Sequence, residues 1–253
     1  MKTLIVGSDM LLGVIILGVR GRIVDLSKEL KPQEIIELDE VRDIPPSWED
    51  RRLSLKVYRV RISGRLLRER MTDIDTMSHI GTHVETPSHY VPGLKDVTQL
   101  PVEVFVGEAV CGDMTYLPPN SPITPEDLEK LGVKEGDILL LHSKRRGDER
   151  PYISAKAAQW LKERKIKMLG IDDGIRLEES MDLMATHENL LKNDIPIIEG
   201  LTNLENICER RFYLIFQSFL IDSLYSRSED ITTTTSFLIS FSLFLLIRVG
   251  CGG

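Results

Sequence analysis

Residues 53–62 of the 253-residue chain alternate apolar Leu53, Leu55 and Val57 with polar neighbours before Tyr58 and Val60, and the period of two predicts a strand. A second strand is expected over 73–79 and a third over 102–110. A run of four apolar residues, 138–141, predicts a buried strand with His142 at its end. Between these, Thr124-Pro125-Glu126-Asp127 reads as a capped helix start that Gly132 closes. Ser154 caps an Ala-rich helix expected over 155–165, with Trp160 and Leu161 on its inner face, and 166–171 returns as a strand. Strand, helix, strand in that order lays the two strands parallel by a right-handed crossover, so the alternation predicts a mixed α/β core. Further on, 188–192 reads as a short helix and 195–198 as a strand. Residues 22–27, a short apolar run ending in capping residues, are expected as the first strand of the chain. The charged, proline-interrupted 31–52 reads as a loop or lid.

Composition narrows the class. With 42% hydrophobic and 28% charged residues, the chain can bury a sizeable core, and one domain over 1–253 is expected. A net charge of −7 opposes nucleic-acid binding, and Lys144-Arg145-Arg146 is the one basic cluster of note. Cys111, Cys208 and Cys251 are far apart in sequence, odd in number and without a C-x-x-C pair; they suggest neither a disulfide framework nor a thiolate zinc site, and favour a reducing cytoplasm. Lys2 and the apolar 10–19 resemble a short signal core, but no small-residue cleavage site follows before Arg20 and Arg22, and a packed leader segment is expected instead. The apolar 237–247 is too short for a membrane span of about twenty residues. A buried terminal strand, an oligomer contact and a reading-frame change in the source sequence all stay open for this tail.

The chemistry concentrates in 79–89, H-I-G-T-H-V-E-T-P-S-H, which holds three of the five histidines and a carboxylate. In an extended chain His79, His83, Glu85 and His89 share one face, and imidazole with carboxylate is the donor set of zinc or manganese. Gly81-Thr82 and Pro87 argue against a helix, so a strand edge passing into a rigid loop is expected. His187 in T-H-E-N-L-L and Glu199 in P-I-I-E-G are weak signals by themselves: a helix-start cap and a solvated strand end explain them equally well.

The pattern His-x-Gly-Thr-His-x-Asp-x-Pro-x-His is the signature of the cyclase family of metal-dependent hydrolases, which contains bacterial kynurenine formamidase and isatin hydrolase, and 79–89 resembles it closely. Glu85 stands where the family most often has Asp. Further matches are Y-V-P-G at 90–93, L-P at 100–101, V-G-E-A-V at 106–110, G-I-D at 170–172 and the segments around His187 and Glu199, so the resemblance spans about 23–212. It implies the swivelling β/β/α fold, with a mixed, barrel-like sheet core and peripheral helices. It implies one or two zinc or manganese ions: His79, His83 and Glu85 would hold one, and Glu85, His187 and Glu199 a second. His89 would be the free catalytic imidazole. The implied reaction is kynurenine-formamidase-like hydrolysis of a carbon-nitrogen amide bond in a small-molecule substrate, with an isatin-type cyclic amide as the alternative, or metal binding without turnover. A cytoplasmic homodimer or homotetramer is expected, with neither nucleic acid nor membrane as partner.

Where this chain departs from the pattern is equally specific. Lys144-Arg145-Arg146 replaces a Thr-Gly-Trp type of segment, and Gly174-Ile175-Arg176-Leu177 replaces a serine-containing one. Trp48 is the available pocket aromatic and equally a packing one. Asp172 is expected to cap its strand rather than touch substrate. The tail 213–253 lacks the family's closing Pro-Val-Arg segment.

Overall fold

The computed structural model describes residues 24–28, 34–37, 53–76, 78–180, 182–208 and 211–216. The leader 10–19, Trp48 and the tail from 217 onward lie outside them. The chain forms strands β1 (Glu34–Glu37), β2 (Leu53–Ile62), β3 (Arg65–Thr76), β4 (His83–Glu85), β5 (Val106–Asp113), β6 (Pro122–Ile123), β7 (Ile138–His142), β8 (Tyr152–Ile153), β9 (Met168–Asp172), β10 (Ile197–Leu201) and β11 (Arg211–Ile215). Helices α1 (Pro87–Tyr90), α2 (Pro125–Glu129), α3 (Ala155–Glu163) and α4 (Ala185–Leu190) lie between them.

Six strands make a mixed sheet in the order β11-β5-β7-β9-β10-β4, a three-stranded sheet runs β1-β2-β3, and β6 pairs with β8. In the large sheet β5, β7, β9 and β10 are parallel, and β11 and β4 close its edges antiparallel. All five residues of β7 are buried, as a strand covered on both faces requires. Ile138 and Leu140 join Val24, Leu26, Phe105, Leu201, Leu204 and Phe212 on one face. Leu139 and Leu141 join Ala157, Ala158 and Leu161 of α3, and Leu190, on the other.

Local chemistry sets most boundaries. The Thr124 hydroxyl accepts from the Asp127 backbone while the Asp127 carboxylate accepts from the Thr124 backbone, closing a capping box on α2. Ser154 caps α3 through the Ala157 N–H at 3.2 Å, and the helix stops two residues before the expected 165 because Lys165 turns left-handed, with φ 53°. The expected parallel pair is present as β7 and β9, side by side.

Five expectations need correction. Residues 24–27, within the expected first strand, form no strand. Residues 102–105 form a turn of 3-10 helix behind Pro101, with the Val104 N–H donating to the Pro101 carbonyl, so β5 begins only at Val106. The 31–52 segment is not irregular throughout: Glu34–Glu37, whose two central residues are β-branched, pairs in parallel with β2. β3 starts at Arg65 rather than 73 and ends at Thr76, because Ser63 and Gly64, both at positive φ, make the two-residue turn of a hairpin with β2. Finally, 79–89 is not extended throughout. Only His83–Glu85 is strand, and Pro87 opens the short helix α1, where its fixed φ and missing N–H suit the first helical position.

Candidate metal centre

The strand pairing of β10 with β4 builds the centre. In this antiparallel pair Glu199 lies opposite His83 and Ile197 opposite Glu85, so Glu199 projects to the same face as His83 and Glu85 although more than a hundred residues separate it from them in sequence. His79 comes from the bends just before β4, His89 from α1 and His187 from α4. All six residues expected from the sequence therefore meet at one place. They form two groups with ligand atoms within 4.8 Å of one another: His79, His83, Glu85 and Glu199, and then Glu85, His89 and His187. Glu85 belongs to both. Glu199 thus groups with His79 and His83 rather than with His187, and His89 stands inside ligand reach of Glu85.

The distances are those of donors around a small cation. His79 Nδ1 is 3.1 Å from His83 Nε2 and 3.3 Å from Glu85 Oε1, and His83 Nε2 is 3.5 Å from Glu199 Oε2. Ligands held about 2.0–2.2 Å from a tetrahedral zinc ion are separated by about 3.3–3.6 Å, so these atoms already span the edges of such a polyhedron. His83 Nδ1 donates to the Gly81 carbonyl at 3.1 Å, which leaves the Nε2 lone pair facing His79. His187 Nδ1 donates to Glu178 Oε1 at 2.8 Å, which aims its Nε2 at Glu85 Oε2, 3.2 Å away. That contact lacks hydrogen-bond alignment, and Oε2 is a buried oxygen with no hydrogen-bond partner. Converging ligand atoms and an orphaned buried carboxylate oxygen fit a bound divalent ion.

The electrostatics agree. Burial alone would raise the Glu85 carboxyl, but the His187, His89 and His79 imidazoles outweigh it and hold it down to about 2. Burial alone would lower His187, but Glu178 and Glu85 hold it up to about 9. The centre is therefore a pocket of fixed negative charge that takes up protons or a cation.

The cyclase family model, described as "Putative cyclase", matches residues 24–174, more than half of the chain and all of 79–89. The chain belongs to the cyclase family. A kynurenine formamidase from Bacillus thuringiensis (strain Al Hakam) is 32% identical over 149 residues, 55% of this chain and 68% of the relative. Among solved structures, isatin hydrolase A from Labrenzia aggregata, bound to benzyl benzoate, is similar with a TM-score of 0.62 at 22% identity, covering 89% of this chain and 93% of the other. A potential metal-dependent hydrolase with cyclase activity gives a TM-score of 0.60 at 21% identity, covering 91% and 100%. At such identities these structures speak for the fold. The family match ends before His187 and Glu199, so for those two residues the geometry carries the weight.

The cyclase centre also contains Glu178, which sequence reading passed over. Glu178, buried in the loop after β9, accepts from the Thr186 and His187 backbone N–H groups at 2.9 and 3.0 Å as well as from His187 Nδ1. It therefore caps α4 and orients its histidine, yet lies nine residues upstream with no periodic relation to it. The Thr82 hydroxyl donates to the Gly200 carbonyl at 2.7 Å and accepts from the Lys28 N–H at 2.8 Å, tying β10, the motif and the 24–28 segment together. Asp172 accepts from the Gly174 N–H at 2.8 Å, the strand-end role expected of it, and also takes the buried His142 Nδ1 at 2.5 Å. The Arg146 guanidinium donates to the Ser143 and Arg145 carbonyls and that of Arg145 to the Leu117 carbonyl, so this basic cluster braces its own loop.

Proposed function

We propose that this chain is a metal-dependent hydrolase that cleaves a carbon-nitrogen amide bond in a small molecule, with kynurenine-formamidase-like activity. The carrying observation is the convergence of His79, His83, Glu85 and Glu199 in one group of ligand atoms and of Glu85, His89 and His187 in a second, with Glu85 shared between them. His79, His83, Glu85, His187 and Glu199 would hold one or two zinc or manganese ions, whose Lewis acidity polarises a carbonyl and acidifies a water. His89 is assigned the free imidazole by the family resemblance, and its side chain is 25% exposed, against 5% for His83 and 9% for His187; His79, at 29%, is assigned to the metal. Its Nε2, 3.4 Å from Glu85 Oε1, takes the proton from the attacking water and returns it to the leaving nitrogen. Glu85 steadies the imidazolium between those two transfers. The likeness to isatin hydrolase structures keeps a cyclic aryl amide as the alternative substrate.

The same reading carries the swivelling β/β/α architecture, a cytoplasmic location and assembly as a homodimer or homotetramer. Elemental analysis of protein purified without chelator tests it first, with about one or two zinc or manganese ions per chain expected. Assays with N-formylkynurenine and isatin test it next. Turnover abolished by chelator supports the hydrolase. Metal uptake with no turnover of any small amide supports binding alone, and failure to take up either metal refutes both.

A further inference from the structure

Two of the three cysteines meet on the sheet face opposite the α3 layer. Cys111, in β5, is completely buried beside Ile138 and Leu140, and the partly buried Cys208 packs against the same cluster. Their sulfur atoms are 2.6 Å apart, well inside the non-bonded contact distance of about 3.5–4 Å. The Cys208 backbone N–H donates to the Leu204 carbonyl at 3.0 Å, which fixes this cysteine at the end of the crossover leading from β10 to β11. Neither cysteine belongs to the two groups of ligand atoms found among the described residues, so a metal does not explain the approach.

We propose that Cys111 and Cys208 form an oxidisable pair whose disulfide fastens the β10–β11 crossover to β5. Cys208, partly buried where Cys111 is completely buried, is the more accessible thiol and the one an oxidant reaches first. The Cys111 thiol is pushed well above its ordinary range by burial, by Cys208 and by the Asp172 and Asp113 carboxylates, which suits it to the second step rather than the first. With a low-molecular-weight disulfide as oxidant, the Cys208 thiolate attacks one of its sulfurs and expels a thiolate, which takes up the proton Cys208 lost. The deprotonated Cys111 then attacks Cys208 Sγ and expels the second thiolate, which takes up the proton of Cys111. Two electrons pass from the protein dithiol to the oxidant, which leaves as two thiols. The linkage encloses β7, β9 and β10 between its ends, and neither sulfur belongs to the two groups of ligand atoms, so its expected effect is on stability.

The test treats the full chain with oxidised glutathione, alkylates it under denaturing conditions and maps the peptides by mass spectrometry. Oxidised protein should retain one alkylatable thiol, Cys251, where reduced protein has three, and a 111–208 linked peptide pair should appear two hydrogen masses below the sum of the free peptides. Its melting temperature should exceed that of the reduced protein, and this gap should vanish in Cys208→Ser. Retention of three free thiols, linkage of either cysteine to Cys251, or an equal gap in Cys208→Ser would overturn the proposal.

Discussion

Gly200 holds the backbone between Glu199 and the motif in a conformation that an L side chain resists, and Gly200→Ala should damage fold and centre together. Its φ is +68°, and a Cβ there would stand 2.2 Å from the Gly81 carbonyl oxygen, with the carbonyl carbon at 2.9 Å. The left-handed conformation costs about 1–2 kcal/mol for a residue bearing a Cβ. Relieving the overlap to 3.0 Å requires about 0.8 Å of backbone movement, and overpacking of this kind costs about 1–3 kcal/mol. Together these predict a loss of about 2–5 kcal/mol, or roughly 4–20 °C in melting temperature for a chain of this size. The movement would part β10 from the bend before β4, where Glu199 faces His83, and a metal site tolerates only about ±0.2 Å in its ligand distances. Bound metal should therefore fall as well. Gly64→Ala is the control: φ is +79° with nothing within 4 Å of the added carbon, so only the conformational cost of about 1–2 kcal/mol applies. Thermal melts and metal analysis of both variants decide the matter. Equal destabilisation of the two, with metal retained in Gly200→Ala, would refute the close-contact reasoning.

Three further outcomes are expected. His83→Ala should lose metal and activity together, whereas His89→Ala should keep its metal and slow turnover by about 10²–10⁴; equal metal loss in both would move His89 among the ligands. Glu178→Gln should weaken metal affinity by about 10–100-fold, because the carboxylate that fixes the His187 tautomer is neutralised, and competition with a chromophoric chelator reads this directly; an unchanged affinity would deny Glu178 its orienting role. Burial lowers His142, but its bond to Asp172 outweighs burial and leaves it above its ordinary value, so its contribution to stability is complete below the unfolded pKa of about 6.5 and disappears as pH rises through the folded one. The melting-temperature gap between wild type and His142→Gln should narrow as pH rises from 6 to 9, and a gap that is constant or widens would contradict the assignment.

The sequence by itself determined the local features of this protein. The capping residues Thr124 and Ser154, the parallel strands on either side of α3 and the density of imidazole and carboxylate in 79–89 are written in adjacent residues, because capping, helix periodicity and metal-ligand chemistry act over a few positions. Only the tertiary structure decided which distant groups share a space. The antiparallel register of β10 on β4 places Glu199 opposite His83, Glu178 reaches His187 across an irregular loop, and Cys208 meets Cys111 after the chain has crossed the sheet. Pro87, read from the sequence as an argument against a helix, instead opens the short helix that carries His89. Strand register and loop closure depend on the burial of whole faces, which no short window of residues contains.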